Sequence, residues 1–159
     1  MKGHEDILEA LQKVLTMELT GVNQYFLHSK MAKNWGYDRL AKFQWDESMD
    51  EMRHADKLMD RLLFLEGTPN MHKYHKIGVG DDCKAMLKAD MALELRAIDT
   101  LKDSIDACFK HRDHASRELL EHILVDEEEH VDWLEAQLDK IEEIGLDRWL
   151  GHMQWEDGK

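Results

Sequence analysis

Glu51-Met52-Arg53-His54 and Glu127-Glu128-Glu129-His130 decide how this chain folds. Each is a Glu-x-x-His step set in the middle of an apolar stripe. Three residues along a helix return to the same face. Each motif therefore puts a carboxylate and an imidazole where a helix ought to be hydrophobic. The stripe around the first reads Leu40, Phe43, Glu47, Glu51, His54, Leu58, Leu62, Leu65, and around the second Leu120, Ile123, Glu127, His130, Leu134, Ile141. Two more stripes carry one glutamate each: Leu8, Leu11, Leu15, Glu18, Val22, Tyr25, and Leu87, Met91, Glu94, Ile98, Leu101, Ile105. All four step by three or four residues, the period of a helix facing a core.

This periodicity predicts an all-α chain with long helices over about 5–33, 38–66, 82–110 and 113–143, and a short fifth over about 146–155. Gly67 with Pro69 stops the second helix, and Gly145 stops the fourth. The connections at 34–37 and 111–112 are tight, so the first and second helices pair antiparallel, as do the third and fourth. The middle connection, 67–80, reaches ~45 Å when extended at ~3.3 Å per residue. That matches a 29-residue helix, ~43 Å long at ~1.5 Å per residue. It can cross the length of the bundle and start the third helix parallel to the second. The expected fold is a single domain over 1–159: a four-helix bundle of two antiparallel hairpins joined by a long crossover loop, with a short fifth helix at the C-terminus.

The polar interruptions then come level. Glu18 and Glu51 lie 33 positions apart, with their midpoint in the first turn, and Glu94 and Glu127 also lie 33 apart, with their midpoint in the third connection. The equal intervals make the chain a pseudo-repeat of two helical hairpins. Four buried carboxylates left unpaired would cost several kcal/mol each. Two divalent cations neutralise four carboxylates while both histidines stay neutral. Glu18, Glu51, His54, Glu94, Glu127 and His130 are therefore the expected metal ligands, with two glutamates shared. Mixed oxygen and nitrogen ligation suits iron, manganese or zinc, and spacing alone does not choose among them.

Composition agrees and excludes other classes. Of 159 residues, 35% are charged and 43% hydrophobic, with one proline. That favours long helices over a β-sandwich. The net charge of −13 repels nucleic acid and anionic membranes and attracts cations. Cys83 and Cys108 form no CxxC pair, so they read as ordinary thiols. The N-terminus lacks an apolar signal region, and no segment approaches the ~20 apolar residues of a membrane span. The expected location is cytoplasmic.

The stretches Asn23-Gln24-Tyr25-Phe26-Leu27-His28, Asn34-Trp35-Gly36, Asp50-Glu51-Met52-Arg53-His54-Ala55-Asp56, Leu63-Phe64-Leu65-Glu66-Gly67 and Asp126-Glu127-Glu128-Glu129-His130 resemble a bacterioferritin along essentially the whole chain. Two Glu-x-x-His motifs plus two further glutamates are also the general pattern of ferritin-like di-iron carboxylate proteins. The resemblance implies a di-iron ferroxidase centre. Glu51 and Glu127 would bridge, Glu18 with His54 would serve one iron, and Glu94 with His130 the other. It implies oxidation of Fe(II) by O2 or peroxide, and storage and detoxification of iron as a ferric mineral in a hollow homo-oligomeric shell of twenty-four subunits. It further implies a haem b shared between two subunits through Met52 of each, with Leu19, Asn23, Phe26 and Trp35 in its pocket, and a small [2Fe-2S] ferredoxin as electron donor for iron release. Met52 lies ~100° round the helix from Glu51 and so points away from the core. Tyr25, seven residues after Glu18 on the same face, reads as a hydrogen-bond donor behind the ligands or as a plain core tyrosine.

The resemblance has departures. Many bacterioferritins bind iron on the inner surface through a histidine at position 46 with the residue at position 50. Here these are Asp46 and Asp50, and Trp45 stands where tyrosine is frequent. His4, His28, His72, His75, His111, His114, His122 and His152 have no partner at ligand spacing and read as surface or structural. Two rival readings share the bundle. A rubrerythrin-type oxidase or peroxidase usually adds a CxxC…CxxC iron domain, absent here. A mainly structural, haem-carrying shell subunit would be free to lose ligands, and this set is complete.

Overall fold

The computed structural model describes residues 1–154. Five helices follow in order: α1 (Glu5–Asn34), α2 (Asp38–Phe64), α3 (Cys83–Lys110), α4 (His114–Ile144) and α5 (Leu146–His152). Trp155, the expected end of the fifth helix, lies outside the described residues. The long crossover occupies 65–82.

Specific hydrogen bonds fix the helix directions. Gly3 N–H donates to Leu65 C=O at 2.9 Å, placing the start of α1 beside the end of α2. Ser104 Oγ on α3 reaches Ala10 C=O near the start of α1, while Gly80, just before α3, donates to His28 near the end of α1. So α3 runs antiparallel to α1 and parallel to α2. Lys84 near the start of α3 pairs with Glu142 near the end of α4, which makes that hairpin antiparallel too. α1 packs along α2, α3 along α4, and α1 against α3, whereas α2 and α4 meet only narrowly.

Three helix ends close in the same way. After α1, Gly36 takes φ +87° while Gly36 and Tyr37 donate to Lys33 and Ala32 C=O. After α2, Glu66 is the left-handed residue at φ 64°, with Glu66 and Gly67 donating to Leu63 and Leu62 C=O. After α3, Arg112 at φ 57° and Asp113 repeat the pattern with Phe109 and Cys108 C=O. These are Schellman closures. The second explains why α2 ends at Phe64 rather than at 66: Glu66 itself reverses the chain before Gly67. At the other ends, Asp82 accepts Ala85 N–H at 2.8 Å and Asp113 accepts Ser116 N–H at 3.0 Å, so each caps its helix from outside. α3 and α4 thus start one residue later than the sequence reading.

Beside a small patch of Met17, Tyr25, Leu93 and Ala97, two larger apolar clusters fill the bundle. One holds Leu11, Leu15, Leu58, Leu62, Leu101 and Leu120 with their neighbours. The other gathers Leu40, Leu87, Leu134 and Ile141 under Trp149 of α5. Trp149 Nε1 donates to Gln137, and Arg39 N–H donates to Met153 C=O, so α5 is fastened across the start of α2. The glutamate level lies between the two clusters.

The crossover enters α3 through a tight passage. A Cβ on Gly80 would stand 2.5 Å from Met86 Cα and 2.6 Å from Ala85 C, both backbone atoms that cannot step aside. Gly80→Ala is expected to destabilise the fold by about 2 kcal/mol, a drop of roughly 4–8 °C in melting midpoint for a chain of this size. A thermal melt followed by circular dichroism checks this.

Candidate metal centre

The six residues named from the stripes converge in the middle of the bundle. Glu18 comes from α1, Glu51 and His54 from α2, Glu94 from α3, Glu127 and His130 from α4. All six are buried, none more than 8% exposed. They divide into two overlapping groups whose donor atoms lie within 4.8 Å of one another: Glu18, Glu51, His54, Glu127, and Glu51, Glu94, Glu127, His130. Glu51 and Glu127 belong to both.

The two halves are alike. His54 Nδ1 stands 3.0 Å from Glu18 Oε2, 3.1 Å from Glu127 Oε1 and 3.8 Å from Glu51 Oε2. His130 Nδ1 stands 3.3 Å from Glu127 Oε2, 3.5 Å from Glu94 Oε1 and 3.9 Å from Glu51 Oε1. Each imidazole is held from behind by a carboxylate at Nε2: Asp126 at 2.9 Å for His54, and Glu47 at 2.7 Å for His130. A neutral imidazole that keeps its Nε2 proton toward these partners would turn the Nδ1 lone pair into the pocket. Tyr25 Oη donates to Glu94 Oε1. Tyr25 is thus a hydrogen-bond donor to one of the six residues, but it serves Glu94 across the bundle rather than Glu18 on its own helix.

Room for this crowding comes from Gly21. A Cβ there would meet Glu51 Cδ at 3.1 Å. A mid-helix glycine costs roughly 1 kcal/mol relative to alanine, and here its missing side chain lets Glu51 lie against α1.

The electrostatics are those of a pocket built for cations. Glu18 Oε1, both oxygens of Glu127 and His130 Nδ1 are buried with no directed hydrogen bond. Native structures leave few such atoms. Burial, then the Glu127 charge, pushes Glu94 up to about 8. Burial and Glu18 hold Glu51 well above the carboxylate range, and burial and Glu127 raise Glu18. Burial alone would lower both histidines. The surrounding carboxylates outweigh it and hold His54 and His130 above their usual value. Protons thus occupy the pocket when cations do not, and two divalent ions would displace them.

A cleft of about 270 Å³ opens over this pocket where α2 and α4 diverge, lined by Asp50, Arg53, His54, Lys57, Asp126, Glu129 and His130. Asp50, with Glu47 and His130, forms a further group close enough to hold an ion. Asp46 is not part of it and pairs instead with Lys42 at 2.5 Å.

Met52 is 44% exposed on the outer side of α2. Phe26, Trp35 and Trp45 are also exposed, and the Phe26 and Trp45 rings sit 5.4 Å apart with Lys30 above both. Asn23 is exposed. Leu19 is buried in the core cluster.

Two polar features escaped the sequence reading. Asp90 is wholly buried and bonded by Gln24 and His28, each at 2.8 Å, while Gln24 and His28 also hold Gly78 and Gly80 of the crossover. The signal was present, because Asp90 lies one turn before Glu94 and His28 three residues after Tyr25. The second is a correction: His4 and His111, read as lacking partners, meet at Asp6.

Residues 8–144 match the family model described as a ferritin-like domain. The bacterioferritin of Mycobacterium bovis is 45% identical over 145 residues, covering 91% of each chain. That of Brucella melitensis is 43% identical over 149 residues, covering 94% of this chain and 92% of the relative. That of Streptomyces coelicolor is 45% identical over 150 residues, covering 94% and 90%. The chain belongs to the ferritin-like family and, within it, to the bacterioferritins. Among the described residues no helix is long and apolar enough to cross a membrane.

The raised values fix a pH dependence for the metal-free protein. Protonated Glu94 is favoured by the fold, so its contribution is full below the ordinary glutamate value of 4.5 and is lost as pH rises through about 8. The raised histidines act in the same sense from 6.5 upward. With a chelator present, the melting midpoint should be higher at about pH 5.5 than at about pH 8, and zinc should restore it at the higher pH. A midpoint that climbs over this range without metal would contradict the assignment.

Proposed function

We propose that this protein stores iron by oxidising Fe(II) in the four-helix pocket. The observation that carries the reading is the set of buried carboxylate oxygens and the His130 nitrogen with no directed hydrogen bond, gathered at one level and matched to two divalent charges. Family membership supports iron as the ion.

In this reading Glu18 and His54 bind one Fe(II), Glu94 and His130 the other, and Glu51 and Glu127 bridge them. Both ions are substrate. Each gives up one electron, and together they reduce O2 with two protons to hydrogen peroxide, or hydrogen peroxide with two protons to two waters. Asp126 and Glu47 keep the imidazoles turned inward, and Tyr25 orients Glu94. Fixed carboxylates favour the ferric products because four negative charges answer a rising positive charge at little reorganisation cost. The cleft between α2 and α4 offers the route between pocket and surface, with Asp50, Asp126 and Glu129 drawing cations through it.

The stored mineral would lie in a homo-oligomeric shell of twenty-four subunits. The exposed thioether of Met52, seven positions after the exposed Trp45 on α2, would hold the iron of a haem b shared with a second copy. Bound haem would supply one-electron transfer for iron release, with a small [2Fe-2S] ferredoxin as donor.

Stopped-flow absorbance after addition of Fe(II) is expected to show a fast phase consuming about two irons per subunit. Glu18→Ala and Glu127→Ala should abolish it, and an unchanged fast phase in both would overturn the site. Met52→Leu should remove the haem absorption of the purified protein while leaving the fast phase intact. Haem retained at full occupancy in that variant would refute the axial role.

A further inference from the structure

A second cluster of ligand-type side chains stands at the far end of the bundle. His4 precedes α1, Asp6 lies in its first turn, and His111 is the residue that ends α3. The left-handed Arg112 turns the chain directly after His111, which leaves the imidazole over the start of α1. His111 Nε2 stands 2.6 Å from Asp6 Oδ2, and His4 Nδ1 stands 3.9 Å from the same oxygen. The two rings stack with centroids 3.7 Å apart and planes 27° from parallel. One donor atom from each of the three residues falls within 4.8 Å of the others.

The stack brings two imidazoles and one carboxylate to a single point. One shared cation satisfies both rings and keeps the charge of Asp6. The hydrogen bond to His111 already holds that carboxyl below its usual value, so Asp6 is an anion over a wide pH range. His4 Nδ1 also accepts Asp6 N–H at 3.1 Å, which seats its ring at the helix start. The side chains of His4 and Asp6 are half-open to solvent and that of His111 is 19% exposed, so an arriving ion can replace the proton between His111 and Asp6 and complete its shell with water.

We propose that His4, Asp6 and His111 form a site for one divalent transition-metal ion of the zinc type on each chain. Two imidazoles and one carboxylate suit borderline ions, with copper and zinc favoured over manganese and iron(II). Three protein ligands leave positions open to water, the arrangement of an accessible zinc site. The site is independent of the four-carboxylate pocket. Asp6 and Glu18 are twelve residues apart on one helix, ~18 Å at ~1.5 Å per residue. An ion bound here would tie the start of α1 to the α3–α4 turn, reinforcing the His111–Asp6 hydrogen bond and the ring stack that already join them.

Zinc content after equilibrium dialysis of the purified protein against zinc tests this. Because the central pocket also takes zinc, the reading is the difference between proteins. The native chain should hold one zinc more per chain than either His111→Gln or Asp6→Asn, whatever the pocket holds. A chain carrying Glu18→Ala and Glu127→Ala should keep that extra ion, which separates this site from the ferroxidase reading. Asp6 is exposed and His111 partly so, and circular dichroism checks the fold of both variants. Equal zinc content in the native chain and in both folded variants would overturn the proposal.

Discussion

Four carboxylates buried at one level of an apolar bundle govern the rest of this structure. Glu18, Glu51, Glu94 and Glu127 cannot all ionise there unless cations enter, because desolvation costs several kcal/mol per charge and their mutual repulsion adds to it. The protein does not relieve this with arginine or lysine. It supplies two imidazoles, one tyrosine hydroxyl and a gap at Gly21. Acid pairs of this kind are tolerable as protonated groups or as ligands, and the directions of the titration shifts describe the first state. The apolar clusters above and below supply the stability against which such a pocket is held.

The chain is a hairpin written twice. Glu18 and Glu94, Glu51 and Glu127, His54 and His130, and the left-handed Gly36 and Arg112 are each 76 positions apart. The repetition places equivalent ligands on both halves of the pocket and explains why the two histidine environments match so closely. It also shows where the halves differ. Glu47 stands behind His130, whereas Asp126 stands behind His54. Tyr25 donates to Glu94, and the equivalent position in the second hairpin is Leu101. The two halves of the pocket are therefore alike in donor groups and unlike in support, and two ions bound there would differ in affinity.

The convergence of the six candidate residues was legible in the sequence because glutamates on apolar stripes violate the pattern that makes the stripes visible. Glu47 lay on the same stripe, yet its service to His130 was hidden, since a stripe does not say which helix lies opposite. Asp126 was hidden for the converse reason: it is exposed and looks like any surface acid. The crossover was legible from its length, while its anchoring by His28, Gln24 and Asp90 was not. Those residues lie off the stripes and pair over more than sixty positions. Glycine was a partial guide to helix ends. It marks the left-handed residue after α1, but Glu66 and Arg112 take that role after α2 and α3. The early end of α2, at Phe64 rather than 66, follows from that substitution. Long-range pairing of His4 with His111 left no local trace at all.

The most direct measurement is anomalous diffraction at the iron edge from crystals briefly exposed to Fe(II) without oxygen. Two peaks per chain are expected inside the bundle, one among Glu18, Glu51, His54 and Glu127, the other among Glu51, Glu94, Glu127 and His130. A bundle interior without anomalous density, in crystals that bind iron elsewhere, would contradict the central claim.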